Sequence, residues 1–159
     1  MSVQSVKGVK NKLLGGQGFF NTILEGDGER GLKGHSDADV LIHAIIDALL
    51  GAAALGDIGS HFPDTDPKWE GADSAKLLGA VVAEIAAAGY RVGNVDATVI
   101  CERPKLRPKV DEIRVRLAQL LNISTTQLSI KGKTNEKLDD VGAGLGVEVH
   151  AVVLLEENT

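Results

Sequence analysis

One segment constrains this chain more than any other: HSDADVLIHAIIDALLGAAALGDIG, running from His35 to Gly59. Val40, Leu41, Ile42, Ile45, Ile46, Leu49 and Leu50 recur at helical spacing, so the segment reads as a helix that needs a core to cover it. Asp39, His43 and Asp47 are four apart and stack along one stripe of that helix. A helix that needed only solubility would carry Lys and Glu there. Imidazole and carboxylate are instead ligands of a divalent cation. The plainer alternative is a buried histidine bonded to a carboxylate, because one imidazole is only a fraction of a ligand set. Ser36 is the expected N-cap, with Asp37 and Asp39 at the positive end of the helix dipole. The helix should run to about Ala54 and break at Gly56.

The rest of the chain supplies partners for that helix. LGDIGSHFPDTDPKWEGADS has turn chemistry. A second helix is predicted over 73–88, closing on Gly89. VGNVDATVICE, 92–102, is rich in β-branched residues and alternates, as a strand does. A third helix follows at 109–121, then strands at 127–134 and 146–157. Between those strands the polar segment NEKLDDVGAG has room for one helical turn. Residues 1–31 show short strands at most, with GGQG and EGDGERG as turns; an edge hairpin is one arrangement for them and disorder the other. Helices on one face of a mixed sheet, an α+β sandwich, is the economical architecture. Val147, Val149, Ala151 and Val153 alternate, and that face is expected to lie against neighbouring subunits.

Composition narrows the function classes. At 159 residues and 43% hydrophobic, the chain reads as a single domain, 1–159, with a true core. Aromatics are only 3%, so that core must be aliphatic. A net charge of −5 argues against a nucleic-acid partner. No apolar run reaches the ~20 residues of a membrane span. One cysteine, Cys101, forbids an internal disulfide and leans towards a reducing compartment, the cytoplasm or a plastid-like organelle. GAGLG at 142–146 follows no strand, which removes dinucleotide binding.

Several residues carry candidate chemistry beside an ordinary reading. His35, Ser36 and Asp37 at a helix start suit an anion, although Ser36 alone would explain them as a cap. Asp57, Asp64 and Asp66 crowd a proline loop; solvated turns do the same, but the neighbours Ile58 and Phe62 are apolar and suggest a loop folded over a pocket. Lys105, Lys131 and Lys133, with Thr134 and Glu136, sit near strand ends. They read either as charged surface or as groups that neutralise phosphates. Cys101 reads as inert packing and His150 as structural.

HSDADVLIHAIIDALLGAAALGDIGSHFPDTDP closely resembles the 2-C-methyl-D-erythritol 2,4-cyclodiphosphate synthases of the non-mevalonate isoprenoid pathway. The likeness continues through GADSAKLL, GYRVGNVDATVI, RPKL and KGKTNEKLDDVG and covers residues 32 to 156. It implies a ferredoxin-like α+β subunit in a homotrimer, with sheets facing a central channel and active sites at subunit interfaces. It implies cyclisation of 4-diphosphocytidyl-2-C-methyl-D-erythritol 2-phosphate with release of CMP. By position, His43 matches a zinc ligand. His35 and Ser36 match residues that hold phosphate and erythritol. Asp57 and Gly59 match ribose and erythritol contacts, and Phe62 with Asp64 to Asp66 falls in the loop over the methylerythritol. Cys101, Pro104, Lys105, Leu106, Gly132, Lys133 and Thr134 match the cytidine and phosphate pocket. Glu136 matches the acid that holds a second cation, magnesium or manganese. His35, Lys105, Thr134 and Glu136 are thereby the implied catalytic group.

The chain departs from the family pattern at its start. The family opens with a strand carrying G-x-D-x-H, whose Asp and His complete the zinc site. A gapless extension places Val9 and Asn11 at those positions, and no histidine precedes His35. A catalytic zinc normally keeps three protein ligands. KTNE also stands where T-T-T-E is commoner, putting Lys133 at a usual threonine. A homologue that binds cytidine nucleotide without an intact zinc site is the alternative reading.

Overall fold

The structure is a computed structural model that describes residues 2–7, 9–11, 30–32, 39–63, 65–69, 72–103 and 105–158. Its elements are β1 (Ser2–Lys7), β2 (Val9–Asn11), β3 (Arg30–Leu32), α1 (Val40–Ala52), α2 (Ile58–His61), α3 (Ser74–Ala87), β4 (Tyr90–Ile100), α4 (Val110–Leu121), β5 (Leu128–Lys133), α5 (Asp139–Gly142) and β6 (Gly146–Glu157). Short 3-10 turns lie at Pro67–Trp69, Arg107–Lys109 and Thr125–Gln127. The main sheet is mixed, in the order β1-β6-β4-β5. β6 runs antiparallel to both neighbours, whereas β4 and β5 are parallel. A parallel pair needs a crossover, and α4 supplies it. β2 and β3 pair separately as an antiparallel ladder, Val9 opposite Leu32. The short strands expected near the N-terminus therefore exist, one of them at the edge of the main sheet.

Two periodicities build the core. Val95, Ala97 and Val99 of β4, Val147, Val149 and Ala151 of β6, and Leu128 and Ile130 of β5 point to one face and are buried. Ile45, Ile46 and Leu49 of α1, Leu78, Val81 and Ile85 of α3, and Ile113, Leu117 and Leu121 of α4 cover that face in one continuous apolar cluster. Burying each such Leu or Ile stabilises by roughly 1.5–3 kcal/mol. This corrects the expectation for β6: Val147, Val149 and Ala151 lie beneath α1 within the subunit, and half-buried Val153 packs on the same core. Alternation identifies a buried face but not what buries it. The face that the described residues leave uncovered carries the intervening residues, among them Asp96, Thr98, Lys131, Glu148 and His150. Val152 and Leu154 on that face are 52% and 57% exposed.

Helix ends also differ from expectation. The N-cap of α1 is Asp39, not Ser36, which lies outside the described residues. Asp39 is fully buried, and its carboxylate accepts from the Ile42 N–H at 3.0 Å. The short acid reaches an orphan first-turn donor, so the helix begins at Val40. It ends at Ala52, before two left-handed residues, Ala54 (φ 57°) and Gly56 (φ 94°). The predicted ends of the second helix held: α3 begins after Asp73, which accepts from Ala75 N–H at 2.9 Å, and closes before Gly89 at φ 89°. The described part of the proline loop contains short helical turns. Asp57 and Ser60 form a reciprocal capping box around α2, and Asp66 accepts from Lys68 N–H at 3.0 Å in the following 3-10 turn.

Candidate active site

The parallel register of β4 and β5 places Ile100 beside Lys133, so both strands end at the same edge. Cys101 N–H donates to the Lys133 carbonyl at 3.0 Å and extends the pairing one step. Leu106, 4% exposed, folds back over β5. A Cβ on Gly132 would lie 3.1 Å from the Leu106 Cβ, so a side chain there would press on this contact. Cys101, Lys105, Leu106, Gly132, Lys133 and Thr134 are thus gathered at the C-terminal ends of two parallel strands, where open sheets receive ligands. Lys105 and Lys133 are exposed there, with their charges available to an anion. Burial, reinforced by the charge of Glu102, pushes the Cys101 thiol above its ordinary value. That fits inert packing better than nucleophilic chemistry. Pro104 lies outside the described residues.

The next loop is held in an uncommon shape. Thr134 Oγ1 donates to Glu136 Oε1 at 2.9 Å. Glu136 and Lys137 both adopt left-handed backbone, φ 51° and 64°, and Asp139 follows at 56°. For a residue with a Cβ this costs about 1–2 kcal/mol, so at Glu136 and Lys137 other contacts must hold it. Asn135 Nδ2 donates to Asp139 Oδ2 at 2.7 Å, and Asp139 Oδ1 accepts from Val141 N–H at 2.9 Å and Gly142 N–H at 3.1 Å. The Asn135 bond, then the Gly142 and Val141 amides, keep the Asp139 carboxyl below the ordinary carboxylate range. Glu102 Oε1 accepts from Asn135 N–H at 2.9 Å and Lys137 N–H at 3.3 Å. Glu102 is the site residue that sequence reasoning missed. Its one local signal is an acid set between a strand end and the RPKL segment.

The polar stripe of α1 is engaged in hydrogen bonds. Asp39 caps α1, and Asp47 Oδ1 accepts from Ile58 N–H at 2.8 Å at the start of α2. His43 Nε2 lies 3.0 Å from the hydroxyl of buried Ser74, joining α1 to α3. Capping and metal ligation use the same residue types, and here both aspartates bond backbone amides. Among the described residues no group of three His, Cys, Asp or Glu side chains is placed to hold a metal ion. A tetrahedral zinc site is therefore not assembled by these residues, and His43 is its one candidate ligand among them. His35, Ser36 and Asp64 lie outside the described residues.

Asp57 and Gly59 are exposed at α2, and the Ser60 hydroxyl holds the Asp57 carboxyl below its usual range. Phe62 packs edge-on to Trp69, ring centres 5.0 Å apart at 81°, and Asp66 begins the turn beneath them. His61 ties this loop to the helices, with Nε2 2.8 Å from the Leu55 carbonyl and Nδ1 3.0 Å from Glu84. The structure thus gathers Cys101, Glu102, Lys105, Leu106, Gly132, Lys133, Thr134 and Glu136 into one cluster. It places His43, Asp57, Phe62 and Asp66 on a second group of elements.

The fold is of the mixed α+β class, with two exposed lysines, Lys105 and Lys133, where two parallel strands end. The chain belongs to the YgbB family, whose model matches residues 12–156. It is 60% identical over 126 residues to a 2-C-methyl-D-erythritol 2,4-cyclodiphosphate synthase of Thermosynechococcus vestitus, covering 79% of this chain and 78% of the relative. Among solved structures it resembles the bifunctional IspDF of Campylobacter jejuni, with a TM-score of 0.85 and 33% identity over 98% of this chain and 41% of that one. It also resembles IspF of Plasmodium falciparum in complex with CDP, with a TM-score of 0.77 and 30% identity over 99% of this chain and 94% of that one.

Proposed function

We propose that this chain converts 4-diphosphocytidyl-2-C-methyl-D-erythritol 2-phosphate to 2-C-methyl-D-erythritol 2,4-cyclodiphosphate and CMP. An oxygen of the 2-phosphate attacks the β-phosphorus. The bond from that phosphorus to the bridging oxygen breaks, and CMP leaves with the electron pair. The observation that carries this reading is the cluster of Lys105, Lys133, Thr134 and Glu136, in a chain 60% identical to a synthase of that name. The relatives lend no support to an impaired homologue.

The reaction brings like charges together, so its catalysis is positioning and electrostatics, with no side-chain nucleophile required. Lys105 and Lys133 offset phosphate charge, and Thr134 turns its hydroxyl from Glu136 towards a phosphate oxygen. Cys101, Pro104, Leu106 and Gly132 wall the cytosine side, as a protein similar to one that binds CDP would require. His35 and Ser36 hold the 2-phosphate and erythritol, Asp57 and Gly59 the ribose and erythritol, and Phe62, Asp64 and Asp66 close over the methylerythritol. The resemblance also implies a divalent cation, zinc at His43 and magnesium or manganese at Glu136. The described residues offer a single ligand at each place, and an ion bound there would offset phosphate charge.

We further propose one domain over 1–159, a ferredoxin-like subunit, in a homotrimer whose sheets face a central channel. The uncovered sheet face with exposed Val152 and Leu154 supports that assembly. It would bring the two clusters together between subunits. Among the described residues no helix is long and apolar enough to cross a membrane, and the lone, buried thiol suits the cytoplasm. The test is release of CMP from the substrate by the full chain with divalent metal supplied. Stoichiometric CMP supports the proposal, and none above background under any metal contradicts it.

A further inference from the structure

The geometry points to Glu102 as a positioning residue for the proposed reaction, a carboxylate that fixes where Glu136 and Thr134 present their oxygens. This rests on the synthase reading of the same site. Glu102 leaves the end of β4 directly after Cys101, on the cytosine side of the cluster. Its Oε1 reaches across to the phosphate side and accepts from the backbone amides of Asn135 at 2.9 Å and Lys137 at 3.3 Å. Those two amides flank Glu136, so one oxygen holds both neighbours of the residue that matters.

The held backbone is one that a side chain rarely adopts, with Glu136 at φ 51° and Lys137 at φ 64°. Backbone amides of a turn can converge on one anionic acceptor, and the Glu102 carboxylate takes that place for residues 135 and 137. With the turn fixed, Glu136 meets the Thr134 hydroxyl at 2.9 Å. From the other side, Asn135 is bound to Asp139 at 2.7 Å. Glu102 thus couples the segment leading to Lys105 with the segment carrying Thr134 and Glu136. Without it, the turn can relax towards right-handed backbone and swing Glu136 away. A displacement of about 1 Å in a catalytic group is enough to lower turnover by up to a hundredfold.

The test compares E102A and E102Q with the wild-type full chain. The readouts are kcat and KM for CMP release, Kd for CDP by calorimetry, and amide exchange at residues 135 and 137 by NMR. E102A should lose about tenfold or more in kcat while its Kd for CDP changes less than threefold. E102Q keeps an oxygen that can accept both amides and should recover most of that loss. Amide exchange at 135 and 137 should quicken in E102A and return towards wild type in E102Q. A loss shared equally by kcat and CDP affinity, unrepaired by glutamine, would mark Glu102 as merely structural. E102A turning over within twofold of wild type, or unchanged exchange at both amides, overturns the assignment. If the wild-type chain itself releases no CMP, the reaction reading fails, and amide exchange still judges the clamp separately.

Discussion

Replacing Gly142 by alanine separates packing from helix propensity with opposite signs. In a helix, Gly→Ala ordinarily stabilises by about 0.5–1 kcal/mol. At Gly142 a new Cβ would lie 2.5 Å from the Lys137 carbonyl carbon, 2.7 Å from its Cα and 3.1 Å from its nitrogen. These are backbone atoms, so no rotamer change relieves the clash and the 135–138 turn must move. Overpacking of this kind costs typically about 1–3 kcal/mol. The propensity gain offsets part of it, leaving a net loss of up to roughly 2.5 kcal/mol. Gly79 in α3 is the control, exposed and with nothing within 4 Å of a built Cβ. G79A should stabilise by about 0.5–1 kcal/mol. Urea denaturation at one fixed protein concentration reads both, and thermal melting should show G142A lower by up to about 10 °C. Turnover of G142A should fall with CDP affinity kept. G142A stabilised as much as G79A would refute the packing of Lys137 on α5.

Other outcomes follow from the same contacts. Lys131, 2.6 Å from Asp96 on the open face, holds that carboxyl below its usual value of 3.8. Because the folded pKa is lowered, this contribution is present above the unfolded value and lost as pH falls through the folded one. Melting of wild type should therefore decline more steeply than that of D96N as pH drops from about 5 to 3; parallel declines would remove the pair from the account. Cys101 has a raised pKa and a buried sulfur. Its labelling by a disulfide reagent at neutral pH should be at least about tenfold slower than after urea unfolding, and rapid labelling of the folded chain would contradict its placement. On the proposed trimer, V152E should shift the sedimenting species towards monomer; a wild-type chain that sediments as a monomer, or an assembly unchanged by V152E, would contradict that interface.

The sequence revealed those parts of the fold that depend on local period. The apolar spacing from Val40 to Leu50 and the alternation from Val147 to Ala151 each marked a real element. The sheet order was not legible, because β1 against β6 and β4 against β5 are decided by which apolar faces meet in three dimensions. The same limit misassigned the covered face of β6. Asp39 and Asp47 read ambiguously for a chemical reason: a carboxylate suited to a cation is equally suited to an orphan amide. In the site, RPKL and KGKTNE were visible as separate segments, and only the parallel register joins them. Glu102 carried only a weak local signal, since its partners are backbone amides 33 and 35 residues away. Amides carry no sequence signature.

The most direct measurement of the central claim is phosphorus NMR of the reaction mixture after the full chain has consumed its substrate. Closure by the internal phosphate predicts two coupled resonances of a cyclic diphosphate beside one equivalent of CMP. Linear phosphate monoesters beside CMP would mean that water, not the 2-phosphate, is the nucleophile, and would contradict the account.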